Sequence, residues 1–379
     1  MSPNMPKIIK AAYVTGPGRL EIREIDLPRV SEKDLLLKVE MCGVCGTDVH
    51  MFYSEKPYPW KKQEYPFMLG HEVVGRIEEV GGKFEGKDFF GQPIEVGDRV
   101  VPWPVIPCGE CYFCKYIQQL NLCDFPPLKR KVPPLDGGFA EFQYIPKEKP
   151  IIKVPEDIPV EIAVLVEPFA TALRAIERSF QPGVPDRCEG MGPGKIVVVQ
   201  GSGPIGLLCT LLAKLSGASK VIVTGAPEAR LKLCEEFGAD TTINIEEVKD
   251  PKERIKLVKQ ETPSQAGADI VIEAAGKPQA FAEGLEMVRR GGTYVEIGHF
   301  TYQGEVSLNP QIIVHKDLRI IGSYGNTPQG FLTSLRILQQ LKEKVPLQKI
   351  ITHRFPLEKT KEALETARNL ECVKAVIVP

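Results

Sequence analysis

The stretch Lys195-Ile196-Val197-Val198-Val199-Gln200-Gly201-Ser202-Gly203-Pro204-Ile205-Gly206 decides the fold of the central part of the chain. A short apolar run, the length of a buried strand, leads straight into Gly201-x-Gly203-x-Ile205-Gly206. The first glycine permits a tight turn, the second lets backbone approach a pyrophosphate, and the third allows close helix–strand packing. A helix starting there offers free N–H groups and a partial positive charge to phosphates. The motif is weak alone, but here its context is complete. The helical pattern runs to about Leu215 with Gly217 as its stop, and a second strand, Lys220–Thr224, follows about twenty residues on. A helix over 228–237 ends before Gly238, and strands recur at Asp269–Glu273 and Thr293–Ile297 with helices between. Strand–helix alternation of this kind predicts an α/β fold with a parallel, doubly wound sheet.

The end of the second strand bears on the nucleotide. An NAD site usually carries Asp or Glu there for the ribose 2′-hydroxyl, and this chain has Gly225. A 2′-phosphate is then not repelled. Arg230 is placed to pair with it and Glu228 to oppose that pairing, so NAD and NADP both stay open.

Upstream the pattern changes. Residues 7–40 alternate apolar and polar side chains over short runs such as Leu35-Leu36-Leu37-Lys38-Val39-Glu40, and the same continues at Val73–Val80 and Gly97–Val101. Gly81–Gln92, rich in glycine and charge, reads as an exposed loop. The first 150 residues therefore predict a mainly β domain with long loops. From Glu156 helices and strands alternate. Phe169, Leu173, Ile176 and Phe180 recur at helical spacing, with Pro168 as the first helical residue and Glu167 just before it. Residues 350–379 return to strand and short-helix character, too little to bury a core alone, and are expected to rejoin the first domain.

At 379 residues the chain suits roughly two or three domains. Lys+Arg of 48 against Asp+Glu of 49 leaves a formal charge of −1, so no broad basic field exists to hold nucleic acid or acidic lipid. Met1–Lys10 has no apolar signal core and no run approaches 18 apolar residues, which predicts a soluble, cytoplasmic protein without membrane contact.

Ten cysteines in such a chain point to metal chemistry. Cys108-x2-Cys111-x2-Cys114-x8-Cys123 has the spacing of a closed, four-thiolate structural zinc site. A redox disulfide set and an iron–sulfur cluster are the alternatives, the latter weakened by the distant fourth cysteine. Cys188, Cys209, Cys234 and Cys372 are scattered and read as buried thiols. A second group is Cys45-Gly46-Thr47-Asp48-Val49-His50 followed by Gly70-His71-Glu72. Cys45, His71 and an acid, Glu72 or Glu167, make three ligands and leave a fourth position open, as catalytic zinc requires.

Taken together, these segments resemble the zinc-containing medium-chain dehydrogenase family. The likeness extends through Asp136-Gly137-Gly138-Phe139-Ala140-Glu141 to Ile351-Thr352-His353-Arg354-Phe355-Pro356-Leu357-Glu358, nearly the whole chain. It implies a GroES-like catalytic domain from residues 1–167 plus 323–379, carrying the cysteine lobe at 107–124, and an inserted Rossmann domain over 168–322. It implies two zinc ions per chain, NAD or NADP, a small-molecule alcohol as substrate, and a homo-oligomer, dimer or tetramer. Cys45 and His71 match catalytic-zinc ligands. Where typical alcohol dehydrogenases have a Cys as third ligand, this chain has Glu167, like the polyol (sorbitol-like) and threonine dehydrogenase branch, in which Glu72 and Glu167 share the acidic role. Asp48 matches the residue that fixes the tautomer of His71. Thr47 and His50 match the proton relay. Thr171 matches the position beside the nicotinamide, and Ile297-Gly298-His299 and Ser323-Tyr324-Gly325 the segments bracketing it. His299 is unusual at a position commonly small and apolar. Trp103 and Tyr53 are candidate pocket walls or ordinary core. The chain departs from the pattern in its last cysteine interval, one residue longer, in the long Gly81–Gln92 loop, and in Gly225.

The expected activity is zinc-dependent oxidation of a secondary, polyol-like alcohol with NAD(P). An L-threonine-type amino-alcohol dehydrogenase is the alternative, and a non-catalytic nucleotide-binding protein of the same fold is the reading from another class.

Overall fold

The structure is a computed structural model, and it describes residues 8–53, 64–124, 135–180, 190–299 and 304–379. Cys188 lies outside the described residues. Contacts divide the chain into two units, Met1–Ala170 with Asn326–Pro379, and Thr171–Gly325.

The first unit is built on a seven-stranded sheet. Its path runs Ile351–Pro356, Lys374–Val378, Leu35–Gly43, Glu72–Val80, Arg99–Pro102, Ile151–Lys153, and Phe142–Ile145 pairs with Leu35–Gly43 off that path. The alternating residues of 35–43 give the central strand. Leu35, Leu37 and Val39 enter one core with Phe52, Phe139 and Ile377, while Leu36 enters a second with Ile9, Tyr13 and Tyr144. The C-terminal strand lies antiparallel to it, Val376 opposite Gly43 and Ile377 opposite Cys42. Residues 350–379 thus bury their apolar side in the first unit's sheet. A smaller sheet orders Arg19–Asp26, Ile8–Gly16 and Phe67–Met68.

The loop 81–92 is less loose than its composition predicts. Asp88, 6% exposed, accepts N–H bonds from Phe90 and Gln92 at 2.9 Å and from Lys153 at 3.1 Å, which ties the loop to the sheet.

The second unit holds a six-stranded parallel sheet in the order Thr241–Asn244, Lys220–Gly225, Ile196–Gln200, Ala268–Glu273, Val288–Glu296, Arg319–Gly322. Val198, Ile222, Val271 and Tyr294 meet in its core. The four inner strands are those the apolar runs predict. The two edge strands escape sequence reading because each is four residues long and has no alternation to see. Helices Pro204–Leu215 and Glu228–Glu236 stop where Gly217 and Gly238 take φ of 94° and 110°.

The helix expected from Pro168 begins earlier, at Val166, and ends at Ser179. Pro168 falls within the first turn, where a missing N–H leaves no bond unmade, so Glu167 sits inside the helix rather than before it. Phe180 lies beyond the last turn and is 42% exposed. Among the described residues no helix is long and apolar enough to cross a membrane.

Candidate active site

The end of strand Leu35–Gly43 and the helix after it, Gly46–Tyr53, set the first half of the site. Asp48, 1% exposed, ties that half together. One of its oxygens accepts the N–H of Cys45 at 2.9 Å and so caps the helix start. The other accepts the N–H of Gly70 at 3.1 Å and faces His71 Nδ1 at 3.2 Å. Cys45 and His71, remote in sequence, are therefore aligned by one carboxylate. Burial raises the carboxyl of Asp48, but His71 outweighs it and holds the group below its usual range. Burial likewise opposes charge on His71, and Asp48 and Cys45 override it to hold the imidazole well above its ordinary value.

The ligand atoms of Cys45, His71 and Glu72 lie within 4.8 Å of one another. Glu72 is 1% exposed. Its Oε1 accepts from Lys374 Nζ at 2.5 Å, and its Oε2 is buried with no hydrogen-bond partner. Lys374, 3% exposed at its side chain, also donates to Val44 O at 3.0 Å. Gly43 makes room for this arrangement, because a Cβ there would run into the Glu72 carboxylate. A thiol, an imidazole and a carboxylate with one orphaned oxygen form a donor set that zinc accepts in full. The residues fit the metal.

Glu167 stands outside that group of three. Asn326 Nδ2 donates to its Oε1 at 2.6 Å, and Trp103 Nε1 donates to Asn326 Oδ1 at 2.8 Å. Burial pushes its carboxyl up to about 7, with His71 opposing and Glu72 adding. Trp103 is fully buried and cannot wall a pocket. It anchors the amide that holds Glu167. Tyr53 packs edge-on against Phe52, and the Arg368 guanidinium lies 4.0 Å over its ring. Sequence reading missed both Asn326 and Lys374. A buried lysine in the last strand carries no local motif, and its only signal is a cation in an otherwise apolar strand, Lys374-Ala375-Val376-Ile377-Val378.

Thr47 and His50 stand three residues apart on helix Gly46–Tyr53, hence on one face, with Thr47 half-buried and His50 exposed. If Asp48 orients His71 as the hydrogen bonds indicate, Asp48→Asn lowers zinc affinity of the Cys45 site by about 10- to 100-fold. Chelator competition on the zinc-loaded protein reads this directly, with the four-cysteine zinc unchanged.

Cys108, Cys111, Cys114 and Cys123 also come within 4.8 Å of one another. Cys108 to Cys114 and Cys111 to Cys123 are each 3.9 Å between sulfurs. A tetrahedral zinc with bonds of about 2.3 Å needs sulfur–sulfur edges of about 3.8 Å. Backbone N–H groups of Glu110 and Cys111 point at Cys108 Sγ, at 3.4 and 3.2 Å, as suits a thiolate. The longer last interval is absorbed by the short helices Phe113–Ile117 and Leu120–Leu122.

In the second unit, the turn after Ile196–Gln200 takes the expected form. Gly201 has φ 108° and a Cβ there would meet Ala274 backbone at 2.8 Å, while Gly203 faces open space. Gly206 lies against Gly201 O with no room for a side chain, and Ile205 lies in the first turn of the helix, after Pro204. Gly225 has its own packing reason. A Cβ there would meet Ser202 Oγ at 2.6 Å and Ser202 N at 2.9 Å, so the space an acid would need is already filled. Arg230 lies on helix Glu228–Glu236 and is 8% exposed, largely buried rather than displayed. Thr171 stands one turn beyond Glu167 on its helix. Ile297, Gly298 and His299 follow strand Val288–Glu296, and Tyr324, 40% exposed, follows Arg319–Gly322.

Known proteins share this whole design. Residues 31–156 match the alcohol dehydrogenase GroES-like domain, and residues 204–340 match the zinc-binding dehydrogenase domain. Sorbitol dehydrogenase of Bacillus subtilis (strain 168) is 32% identical over 388 residues, covering 100% of this chain and 99% of that protein. L-threonine 3-dehydrogenase of Pyrococcus horikoshii is 34% identical over 382 residues, covering 100% and 99%. The crystal structure of an alcohol dehydrogenase from Thermotoga maritima superposes with a TM-score of 0.87 at 32% identity, over 98% of this chain and 99% of that one. The chain belongs to the zinc-containing medium-chain dehydrogenase family. It is an oxidoreductase, a zinc-dependent dehydrogenase that moves hydride between an alcohol and NAD(P).

Proposed function

We propose that this dehydrogenase oxidises a polyol or a similarly hydroxylated secondary alcohol, with its catalytic zinc held by Cys45, His71 and Glu72 and its second zinc by Cys108, Cys111, Cys114 and Cys123. The observation that carries the substrate class is the donor set. It contains one thiolate, and a second carboxylate, Glu167, waits on Asn326 nearby. A carboxylate is harder than a thiolate and yields its place to another oxygen more easily, which favours a substrate offering two hydroxyls. Zinc bound there supplies Lewis-acid polarisation of the alcohol oxygen.

The chain's own groups do the rest. Asp48 keeps the proton of His71 on Nδ1, leaving Nε2 as the donor atom. Thr47 receives the alcohol proton, and His50, exposed three residues on, hands it to water. The unit 171–325, the Rossmann domain expected over 168–322, binds NAD or NADP across Gly201–Gly206 with Thr171, Ile297, Gly298, His299 and Tyr324 on the nicotinamide side. The protein works as a cytoplasmic homo-oligomer.

A second reading has one observation in its favour, the equal likeness to L-threonine 3-dehydrogenases. One panel tests both. Polyols, simple secondary alcohols and L-threonine are offered with NAD and with NADP to zinc-loaded protein. Fastest reduction with a vicinal polyol supports the leading reading, and fastest reduction with L-threonine supports the second. If no alcohol reduces either nucleotide, both fail.

A further inference from the structure

The second unit holds a cluster of titratable side chains that the zinc chemistry does not use. Glu273 and Glu296 end the neighbouring strands Ala268–Glu273 and Val288–Glu296 and lie opposite each other in register. His299 follows three residues later. Its Nδ1 is 2.9 Å from Glu296 Oε1 and 3.5 Å from Glu273 Oε2, and its backbone N–H also donates to Glu296 Oε1 at 3.2 Å. Glu273 is fully buried. Its Oε1 accepts the N–H groups of Ala275 and Gly276, each at 2.8 Å.

Three buried polar atoms are left over. Glu273 Oε2 accepts no hydrogen bond, His299 Nε2 has no partner, and neither has the hydroxyl of Ser323. Ser323 is 8% exposed, follows the next strand over, and donates its own N–H to Glu296 O at 2.8 Å. So the carboxyl ends of three adjacent strands, 268–273, 288–296 and 319–322, each carry an unmet polar atom. Native interiors rarely leave such atoms unmet without a ligand or function.

Their place in the sheet says which ligand. A doubly wound sheet binds a dinucleotide outside the carboxyl ends of its strands, at the point where strand order reverses. Here that point lies between Ile196–Gln200 and Ala268–Glu273. The Gly201–Gly206 turn receives the pyrophosphate in the middle. Gly225, at the position that meets the adenosine ribose, lies to one side on Lys220–Gly225. Glu273, Glu296, His299 and Ser323 all lie to the other side.

We infer that His299 is the polar contact for the nicotinamide half of the dinucleotide, donating from Nε2 to its carboxamide oxygen, and that Glu296 and Glu273 are positioning residues that hold the imidazole charged and in place. This rests on the dinucleotide reading above. Both carboxylates meet Nδ1, so its proton stays there, and Nε2 is the atom that changes. Charged, it donates. Neutral, it presents only a lone pair and the bond to a carboxamide oxygen is lost. The groups facing the ring are Glu273, Glu296 and, behind Glu296 Oε2 at 3.4 Å, the Tyr294 hydroxyl. The Glu273 carboxylate 3.5 Å away, opposed by burial and reinforced by Glu296, raises the imidazole to about 9. Burial, then Glu273, pushes the Glu296 carboxyl up to about 7. Since the imidazole's pKa is raised, the donated bond is present at neutral pH and disappears as pH rises through about 9.

The test is titration of NADH, NADPH and ADP-ribose, which lacks the nicotinamide, into zinc-loaded wild type, His299→Ala and Glu296→Gln from pH 6.5 to 10. Wild type should bind the preferred reduced nucleotide with affinity falling above pH 9 and ADP-ribose with no such fall. His299→Ala should weaken the reduced nucleotide about tenfold or more at pH 7 and abolish its alkaline fall. ADP-ribose affinity should stay unchanged, which also reports that the unit is folded. Glu296→Gln should move the fall to lower pH, an effect that a merely structural role would not produce. Unchanged affinity and pH profile in both variants would overturn the inference while leaving the dinucleotide reading intact. Failure of wild type to bind any of the three would overturn the dinucleotide reading and this inference with it. A third zinc per chain, lost in His299→Ala, would also overturn it, since the cluster would then be a metal site.

Discussion

Cys45→Ser is expected to remove alcohol oxidation down to the blank rate, a loss on the order of a thousandfold or more, while the protein stays folded. The cysteine supplies the one thiolate of the open donor set. Losing a Lewis acid worth several kcal/mol at the transition state costs that much in rate. Cys45 is half-buried and lies outside the apolar cores, and serine keeps its shape, so the fold has no reason to fail. Metal analysis separates the two sites. Wild type should carry about two zincs per chain and the variant one, kept by Cys108, Cys111, Cys114 and Cys123. Loss of both zincs, or a collapsed thermal transition, would mean that Cys45 belongs to a structural site.

Lys374→Met should be the most destabilising single change near the site. Lys374 and Glu72 form an ion pair whose side chains are 3% and 1% exposed. Removing one partner of such a pair leaves an uncompensated buried charge, at a cost of about 3–5 kcal/mol. Burial lowers the ammonium's pKa, but Glu72 outweighs that and raises it, so the pair is intact at neutral pH. The raised value places the loss of this contribution at strongly alkaline pH. Two features make the prediction specific. Zinc at Cys45, His71 and Glu72 supplies another positive charge to Glu72, so the loss should be larger in chelator-treated protein than in zinc-loaded protein. Glu72→Gln should also recover much of the stability lost in Lys374→Met, because no charge then remains to be paired. Denaturant midpoints for the four proteins, with and without zinc, form the double-mutant cycle. Equal destabilisation in both metal states, with no coupling to Glu72, would remove Lys374 from the site.

Much of this was open to sequence reading because the relevant information is local. A glycine at a fixed place after an apolar run specifies a turn whatever lies elsewhere, and Gly201–Gly206 takes the expected form. Cysteines at fixed short intervals can meet with little help from the fold, and the sulfurs of 108, 111, 114 and 123 do meet. Cys45, just before the helix that carries Asp48, is local too. His71 and Glu72 required a family pattern, since only strand pairing brings them to Cys45.

What escaped is non-local. The strands Thr241–Asn244 and Arg319–Gly322 are too short to show a period and are strands because a neighbour pairs with them. Trp103 and Asn326 are 223 residues apart, and no window of sequence joins them to Glu167. Gly225 shows the limit in another way. The absent acid was legible and bears on the nucleotide, but Ser202 filling its space was not.

By itself, then, the sequence determined the four-cysteine spacing and the nucleotide turn, because those depend on residue type at short spacing, and it pointed to the class of enzyme through its resemblance to a family. Only the tertiary structure decided which partners complete them. It set Lys374 on Glu72, Asn326 on Glu167, and Glu273 with Glu296 on His299. Burial explains the difference. A charge or amide far along the chain acts on these groups only when folding brings it near and excludes the water that would otherwise screen it.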